Sequence, residues 1–404
     1  MADTDEADPR VLAQRLTEAR KACGKTQEET AEFLGCSRPT LIAMEKGVRP
    51  PKAEEIVKLA SFFGRSVHEL VRPGAPIVAL EPHLRAAIDS SRGDASEVRE
   101  AARVLARFAE DYRELERLLS APLELSIPPE VHIPSARHLD EFAEDVACRE
   151  RARLQLGDQP ILNLRRTLDS IVGVRVFCDE MPSGIAGMYA YVPELGYCTL
   201  INRKHPKERQ RASLAHEYGH FLGDRHKPGI DYLADDWRKP PNERFAEKFA
   251  MAFLAPAGGI RRQFHDILKS TNDFQVADLC RLSNFYFVSV QAMALRLEGL
   301  GLIARGTWDY LKEDGFKPAA IRADLGLASP SSESDERYPE RYKYLAVQAF
   351  QRELISEGQL ARFLRCNRIA ARHIVEGCLT RSEVDAAGNE GELTMPLGKS
   401  LLPK

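Results

Sequence analysis

The sequence lacks several features that would assign it to a special class of protein. No stretch reaches the roughly 18 uninterrupted apolar residues that a membrane-spanning helix needs. The first eight residues are acidic and polar, unlike the basic start of a signal peptide. The eight cysteines form no Cys-x-x-Cys pair, which argues against a disulfide framework or a cysteine-rich zinc site. The formal net charge of −3 predicts no general attraction to nucleic acid or anionic lipid. We therefore expect a cytoplasmic protein with reduced thiols.

The composition is that of a globular protein, with 44% hydrophobic and 29% charged residues. Helical spacing dominates, and two short segments, 174–178 and 197–201, have the character of strands, so we expect a mainly α fold with a small β-sheet (α+β). Helix breakers and polar runs indicate four regions: a helix-turn-helix domain at 1–75, a helical linker at 76–135, a mixed domain at 136–325, and a polar linker with a C-terminal helical segment at 326–404.

One long amphipathic helix is predicted within the linker, between Glu97 and Leu119. Its apolar residues recur at three- and four-residue steps, and its other face is charged. We interpret it as a spacer or dimer helix. Its apolar stripe is where we expect a homodimer to form.

The N-terminal domain contains a pair of short helices joined by a tight turn. Thr26 and Glu29 have the spacing of a capping box at the start of the first helix. Gly35 suits a turn residue with positive φ. Ser37 is placed to cap the second helix, with Pro39 in its first turn. The pattern predicts a helix-turn-helix.

Such a pair places the N-terminal residues of its second helix at base edges in the major groove. The candidate DNA-binding residues on this second helix are Ser37, Arg38, Pro39 and Thr40. Candidates for contacts to the backbone are Gln27, Lys46 and Arg49. A helix-turn-helix used only for protein contacts is the alternative. The run from Thr26 to Pro51 resembles the phage-repressor-like (XRE) family, and this resemblance implies a double-stranded DNA operator. Operators of this class are often palindromic, which favours a homodimer.

A second motif, His-Glu-x-x-His, occurs at residues 216–220. On a helix, His216 and His220 project from one face and can bind a single zinc ion, while Glu217 points towards a metal-bound water. Glu243, on a predicted second helix, would complete a His₂Glu set that leaves one position open, as in catalytic zinc sites. Glu247, one turn later, is our candidate for the outer N–H of a ligand histidine. Sites of this composition also accept manganese or cobalt.

This constellation resembles the ImmA/IrrE family of zinc metallopeptidase-like proteins. The second helix matches the family pattern at Glu243, Ala246, Phe249, Ala250 and Pro256, and departs from it at Glu247. A turn at 183–187 and the run 201–211 also match. The resemblance implies a cytoplasmic endopeptidase with Zn²⁺ that cuts a repressor or antitoxin-like protein after a stress or phage signal. We expect a strand within 189–201 to pair with the extended substrate.

Other assignments of the mixed domain stay open. His226 is the best local candidate for an oxyanion donor, with Tyr232 and Arg211 behind it, although a surface position is the alternative. The peptidase-like domain could instead be a non-hydrolytic sensor of metal, ligand or partner in a repressor. In a third reading, the helix-turn-helix is an antitoxin-like inhibitor of the domain fused to it.

A weak internal repeat relates the two ends of the chain. Residues 31–37 (AEFLGCS) resemble residues 361–367 (ARFLRCN), and both predict helix, turn, helix. Because Arg365 replaces the turn glycine, we interpret the second copy as a packing module, with DNA binding as the alternative. A third helix-turn-helix pattern, at 278–303, is interpreted as a subdomain that closes the core.

Overall fold

The computed structural model describes residues 9–63, 67–71, 95–123, 126–134, 138–192, 196–227, 229–232, 239–327, 336–384 and 390–394. The chain divides into two compact units, Met1–Arg85 and Ala86–Lys404. It is mainly α-helical with a small four-stranded sheet, which confirms the predicted fold class. Within the described residues, none of the helices has the length and apolarity needed to cross a membrane.

The described residues of the first unit form five short helices: α1 (Pro9–Ala22), α2 (Gln27–Leu34), α3 (Arg38–Glu45), α4 (Ala53–Phe62) and α5 (Val67–Val71). The predicted capping box of α2 is confirmed, because the Thr26 hydroxyl accepts from Glu29 N and the Glu29 carboxylate accepts from Thr26 N. Gly35 ends α2 with a φ of 71°. Ser37 caps α3, as predicted. The local sequence therefore determines both ends of the turn.

The second unit begins with helices that surround a central sheet. Its helices before and around the sheet are α6 (Ala95–Leu118), α7 (Leu139–Arg153), α8 (Leu164–Thr167, continued by a π-helical turn Leu168–Val172), α9 (Lys207–Gly223) and α10 (Pro241–Leu254). Those after it are α11 (Ala257–Thr271), α12 (Val276–Phe285), α13 (Val290–Gly299), α14 (Thr307–Glu313), α15 (Pro318–Asp324), α16 (Glu340–Gln351), α17 (Glu357–Phe363) and α18 (Arg368–Leu379).

The central sheet comprises β1 (Arg175–Asp179), β2 (Ile185–Val192), β3 (Gly196–Asn202) and β4 (Gly229–Tyr232). Its order is β1-β3-β2-β4, in which β1 and β3 are parallel and β2 is antiparallel to β3 and β4. The two predicted strands correspond to β1 and β3. The predicted turn at 183–187 is shorter than expected, since Ile185 already belongs to β2.

The sheet order corrects the expectation that a strand within 189–201 pairs with substrate. Both β2 and β3 are hydrogen-bonded to a strand on each side. Their backbone groups are therefore already used within the sheet. The outer strands of this sheet are β1 and β4.

Helices α9 and α10 cross closely, and this crossing brings their side chains together. A Cβ added at Gly219 would lie 2.8 Å from the Cα of Ala246. Phe245, Phe249 and Phe253 on α10 are fully buried in the same core. The small residues thus set how near α10 approaches α9.

The structure contradicts the interpretation of the helix between Glu97 and Leu119 as a spacer or dimer helix. The apolar stripe of α6 is buried within its own unit. Phe108 stacks on Phe177 of β1, and Tyr112 meets Tyr342 of α16 edge to face. This stripe is therefore not available for a homodimer.

Two further strands follow the last helix. Strands β5 (Thr380–Val384) and β6 (Glu390–Thr394) form an antiparallel hairpin, which the sequence pattern did not predict. The polar linker at 328–335 lies outside the described residues.

Candidate metal centre

The three predicted ligands converge at the crossing of α9 and α10. The Nε2 atoms of His216 and His220 lie 3.1 Å apart. The two carboxylate oxygens of Glu243 lie 3.3 Å from His216 Nε2 and 3.4 Å from His220 Nε2. The histidines are adjacent because they are one helical turn apart on α9. Glu243 joins them from the first turn of α10.

With one ligand atom from each residue, the three atoms lie within 4.8 Å of one another. Ligands held at about 2.0–2.1 Å from zinc lie about 3.3 Å from one another, so a bound zinc ion would draw these atoms closer together. His220 is buried, with 4% of its side chain exposed, whereas Glu243 is 37% exposed. The cluster thus has three ligands and one side facing solvent. That combination is typical of a zinc site with an open position.

Asp224 holds the outer nitrogen of His220, a role that the sequence analysis gave to Glu247. Asp224 Oδ1 lies 2.9 Å from His220 Nδ1, and Asn242 donates to Asp224 Oδ2 at 3.0 Å. A proton on Nδ1 leaves the Nε2 lone pair for a metal. Glu247 lies instead 3.2 Å from Lys239 Nζ at the surface. Its spacing of four residues after His220 could have identified Asp224.

The charges around the site favour a cation between the ligands. Burial lowers the pKa of His220, but hydrogen bonds to Asp224 and Glu243 outweigh burial and raise the pKa to about 10. Burial raises the pKa of Glu243, whereas hydrogen bonds from His216 and His220 outweigh it and hold the pKa well below its ordinary value. A divalent cation satisfies the same electrostatic preference.

Glu217 is buried beside the sheet, with 1% of its surface exposed. A Cβ added at Gly187 of β2 would lie 2.8 Å from Glu217 Oε1, so a larger residue there would displace this carboxylate from its position. The Tyr197 hydroxyl donates to the backbone carbonyl of Glu217. The ring of Tyr189 stacks on that of His220, with centroids 5.2 Å apart. Strands β2 and β3 therefore form one wall of the site.

The structure gives two of the oxyanion candidates, His226 and Arg211, other partners. The His226 side chain is 66% exposed and lies 3.8 Å from Glu130. Arg211 is buried and donates to the carbonyl of Ile161 at 2.6 Å, which is a packing role. Tyr232 ends β4, and its side chain lies outside the described residues.

The candidate DNA-binding residues fall into two groups. Those open to solvent are Ser37, Arg38, Pro39 and Lys46. Those engaged within the domain are Thr40, Gln27 and Arg49. The Thr40 hydroxyl lies 2.8 Å from the Ser37 hydroxyl. Gln27 donates to Glu45, and Arg49 pairs with Glu55. Of these contacts, that of Gln27 with Glu45 links the start of α2 to the end of α3.

Comparison with known proteins gives two family matches. The helix-turn-helix family model matches residues 16–70, and the IrrE N-terminal-like domain matches residues 170–298. Both matches confirm the resemblances found in the sequence.

Three relatives share the first of these domains. The cryptic phage CTXphi transcriptional repressor RstR of Vibrio cholerae is 36% identical over 61 residues, which cover 15% of this chain and 55% of RstR. An uncharacterized HTH-type transcriptional regulator of Methanocaldococcus jannaschii is 44% identical over 45 residues, which cover 11% of this chain and 68% of the relative. An uncharacterized HTH-type transcriptional regulator of Methanothermobacter thermautotrophicus is 44% identical over 50 residues, which cover 12% of this chain and 72% of the relative.

Two solved structures align along most of the chain. ComR from Streptococcus suis is 13% identical, with 92% of this chain and 93% of ComR covered and a TM-score of 0.16. PlcR from Bacillus thuringiensis, in complex with the peptide PapR7 and DNA, is 12% identical, with 90% and 91% covered and a TM-score of 0.16. Similarity at this TM-score supports no argument about fold or function.

The family matches and the two relatives from methanogens identify the family of the chain. The chain belongs to the XRE-type helix-turn-helix regulators and carries an ImmA/IrrE-type domain.

Proposed function

We propose that this protein is a DNA-binding transcriptional regulator whose second unit is a zinc-dependent endopeptidase. Its substrate would be a repressor or antitoxin-like protein cleaved during a stress or phage response. The observation that supports the enzyme best is the convergence of His216, His220 and Glu243, whose ligand atoms, one from each residue, lie within 4.8 Å of one another. The names of the relatives and the exposed start of α3 support DNA binding.

The residues of the site have separate roles in hydrolysis. When bound, zinc supplies Lewis acidity that polarises the scissile carbonyl and lowers the pKa of water. Glu217 takes the proton of the attacking water and then transfers it to the leaving amine. Asp224 keeps His220 in the tautomer that presents Nε2. Gly187 leaves the Glu217 carboxylate room beside β2.

We assign substrate pairing to β4 instead of the strands expected from the sequence. Strand β4 is an outer strand and lies next to β2, which carries Gly187 and Tyr189 into the site. An extended peptide can add to an outer strand through backbone hydrogen bonds. Such a peptide would lie beside the metal ligands.

The test compares the wild type with Glu217→Gln, which removes the proton acceptor and leaves the three ligands. We expect one zinc per chain in both proteins. In a cytosolic extract from cells that lack this gene, we expect new protein N-termini with wild type only, because loss of a general base slows hydrolysis about 10²–10⁴-fold. The proposed zinc-dependent peptidase activity would be refuted if Glu217→Gln cleaved as well as the wild type, or if the wild type bound no zinc.

A second candidate is a non-hydrolytic sensor of metal, ligand or partner. The exposed position of His226 favours it, because this side chain lies in solvent beside Glu130 and not where an oxyanion donor is needed. In the same experiment, one zinc in each protein with no new N-termini would support this alternative. Promoter footprints with and without zinc would then show whether metal binding controls the DNA-binding domain.

A further inference from the structure

The C-terminal helices repeat the backbone scheme of the N-terminal helix-turn-helix. Helix α17 starts with a capping box: the Ser356 hydroxyl accepts from Gln359 N at 3.3 Å, and the Gln359 side chain accepts from Ser356 N at 2.7 Å. Thr26 and Glu29 make the same pair of bonds at the start of α2. Both motifs begin in the same way.

The turns also correspond residue by residue. Arg365 has a φ of 51° where Gly35 has 71°. The next amide, of Cys366, donates to the carbonyl of Ala361 at 3.0 Å, just as Cys36 donates to Ala31 at 3.0 Å. The amide of Ala370 donates to the Asn367 side chain at 2.8 Å, so Asn367 caps α18 where Ser37 caps α3.

Arg365 occupies the position of the turn glycine, and contacts with α6 hold it there. Arg365 lies 2.6 Å from the Asp111 carboxylate of α6, and its guanidinium lies 4.9 Å from the centre of the Phe108 ring. Arg362 also pairs with Asp111, at 3.3 Å. These contacts hold the left-handed turn residue in place and attach the module to α6.

A third helix and a hairpin complete a winged helix-turn-helix. Helix α16 precedes the motif and packs on it, with the Tyr342 hydroxyl donating to the carbonyl of Phe363 at 3.0 Å. The hairpin of β5 and β6 follows α18 directly. The order of three helices and a two-stranded antiparallel ribbon is that of a DNA-binding winged helix. Helices and β-ribbons both read DNA in other proteins.

The start of α18 is exposed in the way a recognition helix requires. Arg368 and Ile369 are exposed, with 67% of Ile369 accessible. One turn later, the side chains of Arg372 and His373 are 64% and 73% exposed. The opposite face is buried, as Ala371 shows at 0% exposure.

We propose that α16–α18 and the hairpin of β5 and β6 (described residues 340–384 and 390–394) form a second DNA-binding module, which reads duplex DNA with the N-terminal turns of α18. Asn367 and Arg368 would lie at base edges or phosphates, and Ile369 would contact a thymine methyl group. Arg372 shares its charge with Glu357, 2.9 Å away. The helical segment 340–379 contains seven Lys/Arg and four Asp/Glu, whereas the segment 380–394 contains one Arg and four acidic residues, so the module as a whole is neutral. We therefore expect weak binding that adds to the affinity of the N-terminal domain through their covalent connection.

The test uses the full chain and a fluorescein-labelled 40-base-pair duplex of random sequence, followed by anisotropy at several salt concentrations. In an Arg38→Ala background, which weakens the N-terminal reader, Arg368→Glu should lower the affinity about five- to tenfold and reduce the salt slope by about 1. Arg305→Glu is the matched control: Arg305 is an exposed arginine outside the module. The Arg305→Glu variant should change the DNA affinity and the salt slope only by the small general effect of the altered net charge.

Equal affinity and equal salt slope for Arg368→Glu and Arg305→Glu would overturn the proposal. A photo-crosslinking side chain at position 369 gives a second, independent readout in otherwise wild-type protein. Crosslinks to the duplex support the module, whereas their absence, or capture of a protein only, would overturn it. Neither readout depends on peptidase activity, so failure here leaves the proposed enzyme unaffected.

Discussion

A single carboxylate, that of Asp224, determines how His220 presents itself to a metal. We predict that Asp224→Asn lowers zinc affinity about 10–100-fold, because the outer partner of a ligand histidine fixes its tautomer and orientation. Glu247→Gln is the matched control, since Glu247 contacts Lys239 and neither histidine in the described structure. Competition with a chromophoric chelator measures the zinc affinity of both variants. A larger loss of zinc affinity in Glu247→Gln than in Asp224→Asn would restore the assignment of this role to Glu247.

At the scale of residues, the candidate ligands were predictable from the sequence, whereas the partner that supports His220 was not predicted. His216, His220 and Glu217 follow from a spacing that a helix converts directly into geometry. Glu243 was identifiable because it starts a second amphipathic helix. Asp224 has a spacing of four residues after His220 that could have indicated it, but it follows the end of α9, where its φ of −154° departs from the helix and helical geometry no longer fixes the direction of the side chain.

At the scale of elements, the crossing of α9 and α10 sets the geometry of the metal centre. We predict that Gly219→Ala destabilises the second unit by about 1–3 kcal/mol, because its Cβ would meet backbone at Ala246. Zinc affinity should fall with it, since two ligands lie on α9 and one on α10. Urea unfolding and chelator competition measure the two effects.

The control for this substitution is Gly299→Ala, another glycine in a helix. A Cβ there meets nothing within 4 Å. Alanine should be neutral or stabilising by up to about 1 kcal/mol, because it is the better helix former. If the two variants behaved alike, close packing of the helices would not explain Gly219.

Element α6 shows where sequence patterns reach their limit. Its periodicity correctly identified the apolar face, but the partners of that face are distant in sequence. Glu116 pairs with Arg175 of β1 and with Arg341 of α16, each at 2.9 Å. A local pattern cannot show such contacts, so a dimer surface and an internal face look the same. The inner position of β2 was hidden for the same reason.

At the scale of the whole molecule, the two units should respond differently to metal. Both tryptophans, Trp237 and Trp308, belong to the second unit, so tryptophan fluorescence follows its unfolding alone. Zinc at about 1,000 times its dissociation constant stabilises the folded state by about 4 kcal/mol. We predict that removing it with EDTA lowers the fluorescence-detected Tm by about 5–10 °C.

Two variants separate specific binding from general effects in this last prediction. His216→Ala, which lacks a ligand, should melt like the EDTA-treated wild type and gain nothing from added zinc. His132→Ala, at an exposed histidine outside the cluster, should respond to zinc as the wild type does. Far-UV circular dichroism also reports the helices of the first unit, whose transition should not move with EDTA. An unchanged fluorescence transition in the wild type would contradict a metal centre in the second unit, because binding to the folded state must raise its stability.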